Sequence, residues 1–407
     1  MSESSTRILT SHVGSLVRPA ALRSIMTARA QGAAYDEAAL GRELKTAVAD
    51  VVTKQGELGL DIISDGEFGK AGWNRYVVER MEGFVQRPLN PGEKPGSNFD
   101  LSGEARAFPG FYAAYKVLQE FDWEEGRLPA TRHDPDVQQK RMVWECVGPI
   151  RYKANAAQRD IANFKAALDA TEGATGFMPA ASPLSARGLW GSSFYKSDDE
   201  ITVALAEALR HEYRAIVDAG LLLQVDDPYL VDNYPRLASD VGDVQTRHFL
   251  EGRVELLNHA LDGIPEEKIR YHVCWGSWNG PHTFDFPLAK VLPLVLKVRA
   301  GAYSLEAANP RHEHEWTVWK DVRLPAGKML MPGVVSHCTN VVEHPELVAM
   351  RLVNFAKVVG RDNIVAGTDC GFSQSHDHMR VHSSIQWAKL KSVVEGARLA
   401  SAALWRR

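Results

Sequence analysis

The sequence is poor in the features that would place a protein quickly. Its 407 residues carry 47 basic and 51 acidic side chains, a net charge of only −4. Such a balance offers no basic field to hold phosphate backbones, which sets nucleic acid aside as a partner. No apolar run approaches the ~20 residues that span a bilayer. The first residues, MSESSTRILT, have neither the basic start nor the apolar core of a secretory leader. A cytoplasmic location with no membrane contact is therefore expected. Cysteine is scarce as well, with four residues at 146, 274, 338 and 370. That is a poor disulfide framework for a chain of this length, so the thiols are better read as candidates for metal binding or chemistry. Repeats, low-complexity tracts and a convincing linker are also missing, and a single domain over 1–407 is the expectation.

What is present is an alternation of short β-rich apolar segments with longer amphipathic ones, the pattern of βα units around a parallel sheet. Eight strand candidates occur, at 8–14, 60–65, 174–179, 221–226, 269–275, 302–307, 329–336 and 363–368. Helical spacing of apolar residues fills intervals such as 35–58, 199–219, 245–261 and 344–359. Eight units predict a (β/α)8 TIM barrel, with an open doubly wound sheet as the alternative. One stretch, about 83–152, breaks the rhythm between the second and third strands. It is rich in Pro, Gly and aromatics (Phe99, Phe108, Phe111, Tyr112, Tyr115, Phe121, Trp123, Trp144) and too long for a plain connection. It reads as an insertion: a packed decoration, or a wall over the substrate, since loops at the C-terminal face of a barrel carry function.

The chemistry concentrates at predicted strand ends. In Arg270-Tyr271-His272-Val273-Cys274-Trp275 the alternation of a strand points His272 and Cys274 the same way. Taken alone, this pair reads as a core histidine beside a small hydrophobic cysteine. The balance shifts because the next strand ends in Glu306 and the last in Thr368-Asp369-Cys370-Gly371. An imidazole, a carboxylate and two thiolates converging from three strands form a four-ligand set suited to zinc, the sulfurs favouring it over magnesium or calcium.

The set His272-x-Cys274, Glu306 and Cys370 resembles the zinc site of the cobalamin-independent methionine synthase family. Further fragments follow in that family's order: Val13-Gly14-Ser15, Asp65-Gly66-Glu67, Leu223-Gln224-Val225-Asp226-Asp227-Pro228, Gly333-Val334-Val335-Ser336-His337 and Thr368-Asp369-Cys370-Gly371. The resemblance implies a zinc-dependent transfer of a methyl or other alkyl group to a thiol. It implies that the backbone of Gly14 and Ser15 holds a carboxylate, that Glu67 and Asp226 hold the amino group of homocysteine, and that His337 relays a proton to the leaving group. Zinc lowers the pKa of a bound thiol, so a nucleophile forms at neutral pH without a strong base. Glu306, the hardest ligand of the four, is the one expected to leave or lengthen when the substrate thiol arrives.

The chain has no room for the second, N-terminal barrel of the folate-dependent members. It resembles the single-barrel branch, which includes the epoxyalkane:coenzyme M transferases. Epoxide opening or thioether cleavage is thus the alternative reaction, and the partners expected are a small-molecule thiol and an alkyl donor. A metal-free decarboxylase-like barrel has no need of this ligand set. His312 and His314 in Arg311-His312-Glu313-His314 read as a solvated loop or as contacts for an anionic substrate arm.

Overall fold

The structure, a computed structural model, describes residues 6–90, 93, 103–118, 121–126, 142–188, 190–232 and 234–405. Thirteen strands are present among them. In chain order they are β1 Leu9–Thr10, β2 Ile62–Ile63, β3 Met81–Pro88, β4 Met142–Tyr152, β5 Thr175–Ala181, β6 Gly191–Ser192, β7 Leu222–Asp226, β8 Ile269–Val273, β9 Ala302–Leu305, β10 Met329–Pro332, β11 Val365–Ala366, β12 Ser373–Ser375 and β13 His378–Met379.

Six of them form a parallel sheet in the order β10-β9-β8-β7-β5-β2. β1 pairs parallel with β11. Parallel bridges from Leu330 to Ile364 and from Gly333 to Gly367 tie this pair to β10. On its other side, Asp61 N donates to Thr10 O (3.2 Å) beside β2. The result is an α/β fold with a curled parallel sheet, consistent with a TIM-barrel catalytic domain. All eight strand candidates appear as strands, six in the larger parallel sheet and two as the β1–β11 pair.

Curling follows from the side chains. Ile62, Phe177, Leu222, Ala302, Met329, Met331 and Val365 pack as one small buried cluster with Leu9 against it. These residues come from seven different strands, so their shared face is turned inward on itself. Arg270 of β8 lies in the same plug: its guanidinium sits 3.8 Å from the Phe177 ring centroid and donates to Ser11 Oγ (3.0 Å) and His12 O (2.8 Å). Burial pushes its pKa down to about 9. The outer face packs on amphipathic helices whose ends are marked in sequence. Glu37–Leu58 starts at Asp36, which caps Ala38 N, and stops at left-handed Gly59; Asp198–Asp218 starts at Ser197, which caps Glu200 N.

The alternation of a strand then decides what stands above the plug. Arg270 and His272 of β8, with Cys274 just past its end, share the inward face, and the register pairs Asp226 with His272 and His272 with Ser304. The C-terminal ends of β7, β8 and β9 therefore lie level.

The segment 83–152 is not simply irregular. β3 and β4 form an antiparallel pair, with β6 parallel to β4. Its pairing shifts register between Glu82 and Phe84, around Gly83, whose φ is +90°. The described part also contains the helix Pro109–Leu118. Phe99 lies outside the described residues.

Candidate metal centre

His272, Cys274 and Cys370 bring one ligand atom each to within 4.8 Å of one another. Cys370 Sγ is 3.7 Å from Cys274 Sγ. His272 is buried, with Nδ1 hydrogen-bonded to Ser304 Oγ at 3.1 Å, whereas its buried Nε2 has no protein partner. A buried polar atom left unpaired costs about 1–3 kcal/mol, so its persistence beside two thiols is the mark of a ligand position. One nitrogen and two sulfurs are a donor set that fits zinc. The Ser304 contact is the outer-shell hydrogen bond that fixes an imidazole's orientation. The adjacent Cys370 sulfur, burial and the Glu306 charge all push the Cys274 thiol up.

Glu306 stands next to this trio without joining it. Its Oε1 accepts from Trp275 N (2.9 Å) and its Oε2 from Asn309 Nδ2 (2.6 Å). Burial, then Asp369, drives its carboxyl well above the usual range. Asp369, the neighbour of Cys370, accepts from Ala307 N and Ala308 N (both 2.8 Å) and clamps the Glu306 segment to the Cys370 segment. Gly333 allows this clamp, since a Cβ there would stand 2.2 Å from Asp369 Oδ1. The sequence marks neither role, because a carboxylate that bonds backbone amides, like Asp369, and an amide that donates to carboxylates, like Asn309, have no spacing signature.

Asp226, Glu67, Gly14 and Ser15 gather beside this trio, Asp226 being the register partner of His272 on β7. Asp226 is buried, accepts from Gln224 Nε2 (2.8 Å), and is raised to about 7 by burial with Glu67 adding to the effect. Glu67 is buried, holds the left-handed backbone that side chains rarely adopt (φ 60°), and leaves Oε2 without a hydrogen bond. Lys70 Nζ lies 3.8 Å from that atom. Strain and an unpaired oxygen in one residue recur at ligand-binding sites. Gly14 is required by close approach: its φ is +126° and a Cβ would meet Pro179 Cγ at 2.5 Å and Glu67 Oε1 at 3.3 Å. Ser15 turns its hydroxyl away, donating to Ser373 O.

His337 lies past the end of β10, which stops at Pro332 rather than running on to 336. It is buried and neither ring nitrogen has a partner. The near-neutral pKa expected for a relay is not what the surroundings give. Burial, followed by the charges of Arg380 and His282, holds it well below the ordinary value, so the ring is neutral in the ligand-free protein. His312 also departs from expectation. It is buried, with Nδ1 at 2.7 Å from Glu315 Oε2 and Nε2 at 3.0 Å from Asp285 Oδ2, and its ring packs at a tilt against Trp275. It is not part of a solvated loop, and both its ring nitrogens already face carboxylates, while His314 is exposed.

Residues 189–397 match the family model described as "Cobalamin-independent synthase, Catalytic domain". The chain belongs to the cobalamin-independent methionine synthase family. It is similar to 2-hydroxypropyl-CoM lyase of Xanthobacter autotrophicus, 23% identical over 401 residues, 90% of this chain and 88% of that one. A methionine synthase of Thermococcus kodakarensis is 22% identical over 396 residues, 96% of this chain and 92% of the relative. Among solved structures, a B12-independent methionine synthase from Shewanella sp. W3-18-1 in complex with selenomethionine has a TM-score of 0.69 at 19% identity. It covers 98% of this chain and 99% of that one. That likeness bears on the fold. No helix among the described residues is long and apolar enough to cross a membrane.

Proposed function

We propose that this family member is a zinc-dependent methyl or alkyl transferase acting on a thiol, on a single closed (β/α)8 barrel in the cytoplasm. The observation that carries the reading is the cluster His272, Cys274 and Cys370 with an unclaimed buried Nε2. These three would hold the ion, with Glu306 as the exchangeable fourth ligand. Zinc bound there would draw a substrate thiol toward its thiolate and keep the sulfur nucleophilic. The amide of Trp275 and the side chain of Asn309 give the Glu306 carboxylate a polar berth when it is not a ligand. Asp226 and Glu67 would receive the ammonium of an amine-bearing thiol, and the Gly14–Ser15 backbone its carboxylate. His337, neutral and unpartnered, would accept the proton that the substrate thiol releases and, as imidazolium, pass it to the departing atom of the alkyl donor. Small-molecule thiol and donor are the proposed partners, and a near-zero net charge argues against nucleic acid.

The test is metal analysis followed by zinc-edge absorption during a thiol titration. About one zinc per chain and a new Zn–S bond are expected. A protein that holds no zinc, or whose zinc acquires no sulfur from any thiol, would refute the reading. A second reading, epoxide opening or thioether cleavage, is favoured by similarity to a CoM lyase along most of the chain. An amine-free thiol that binds as tightly as homocysteine would select it.

A further inference from the structure

We propose that Arg380 selects substrates bearing an oxyanion, a carboxylate or a sulfonate, over their neutral analogues. The inference rests on the thiol-transfer reading for its location. After Cys370 the chain folds back over the mouth. Phe372 N donates to Ser15 O (2.8 Å), Arg380 N donates to Phe372 O (3.0 Å), and Ser375 bridges to Gly72. Arg380 is anchored there by neutral acceptors only. Its Nε donates to Gln374 Oε1 (2.7 Å) and its Nη1 to Tyr115 Oη (3.4 Å). Gln374 in turn donates to Gly371 O (2.7 Å), beside Cys370. Tyr115 Oη accepts from Asn279 N (2.8 Å), in the loop that follows Cys274. The guanidinium is thus fixed between the two segments that carry the thiols, and its charge reaches His337 and Cys338.

Among the described residues Arg380 forms no ion pair, and its Nη2 has no partner. The other cations around the sheet are occupied. Arg18 donates to Glu67 O and Lys70 O, Arg270 to Ser11 and His12, Lys70 to Pro179 O, and Lys389 to Glu343. His312 is spent between Asp285 and Glu315. A planar guanidinium held by neutral groups, with donors to spare, suits a two-pronged contact with carboxylate or sulfonate.

The test uses zinc-loaded full-length protein and three thioethers: 2-(methylthio)ethanesulfonate, 3-(methylthio)propionate and 2-(methylthio)ethanol. Having no ionisable thiol, they report recognition apart from thiol activation. Calorimetry on wild type should show at least one anion bound roughly 10-fold or more above the alcohol, the scale of a charged hydrogen bond. Arg380→Gln should abolish that preference and leave the alcohol unchanged, and Arg380→Lys should retain part of it. Whichever anion responds identifies the group recognised. Wild type that binds neither anion better than the alcohol overturns the proposal, as does an Arg380→Gln variant that weakens all three ligands equally. An anion preference in a protein whose zinc takes up no thiol would sink the transferase reading and leave Arg380 standing.

Discussion

Two pairs of histidines occupy neighbouring regions of the same mouth with opposite surroundings. His282 and His312 lie in the loops after β8 and β9 and share Asp285: Oδ2 is 2.9 Å from His282 Nδ1 and 3.0 Å from His312 Nε2. Their remaining nitrogens reach Trp278 O and Glu315 Oε2. His272 and His337 are buried at least as deeply, yet three of their four nitrogens have no partner. Electrostatics follows the partners. Burial alone would lower all four, but Asp285, with Glu315 at His312, raises His282 to about 9 and His312 to about 10. Burial prevails at His272 and His337 and lowers both. The lesson is that a buried imidazole signals function only where its nitrogens are unclaimed; where they are all claimed, it is a strut.

The largest effect should come from the thiols. Cys274→Ser or Cys370→Ser should weaken zinc binding by more than the roughly 10- to 100-fold typical of losing an outer-shell partner, measured by chelator competition. Circular dichroism should show an intact fold. Asp285→Asn, in the claimed network, should stay within that smaller range. Full zinc retention in both serine variants would erase the distinction between the two regions.

Next comes His337→Ala. With no hydrogen bond to lose, the variant should keep its zinc and its melting temperature, while turnover falls by about 100- to 10,000-fold. Loss of stability and metal together would make His337 a packing residue after all.

The strut should respond the other way. Asp285→Ala strands two cationic imidazoles, and breaking such a buried pair costs about 3–5 kcal/mol, read by denaturant unfolding. Asp226→Asn should weaken an amine-bearing thiol by about 1.5–3 kcal/mol, the scale of a hydrogen bond to a charged group, with zinc content unchanged.

The smallest effect is a pH slope. His282 and His312 have folded pKa values above the ordinary 6.5, so the native state binds more protons than the unfolded one. Their contribution is complete below pH 6.5 and is lost as pH rises through about 9 to 10. Melting temperature should decline across that window, and His312→Gln should flatten the decline. An unchanged slope would mean that the histidines are neutral in their network.

Much of this was legible in the residues. The strands of the parallel sheet carry apolar alternation that is independent of their neighbours, and the helices carry caps such as Asp36 and Ser197. β3 and β4 were missed because their side chains are largely half-buried or exposed and Gly83 and Pro149 interrupt the pattern. The ligand types at 272, 274 and 370 were legible because period-two alternation gives direction. The strut was not, although His282-x-x-Asp285 and His312-x-x-Glu315 share a spacing, because its closing contact joins two loops 27 residues apart.

The sequence by itself determined the α/β class and the placing of an imidazole and two thiols at strand ends, since both follow from local period and residue type. Only the tertiary structure decided which of the buried polar groups remain free. That depends on partners brought from distant loops: Asp285 for His312, Asp369 for the Glu306 segment, and no carboxylate among the described residues for Arg380. Pairing is a property of three-dimensional neighbours, and a linear pattern does not encode it.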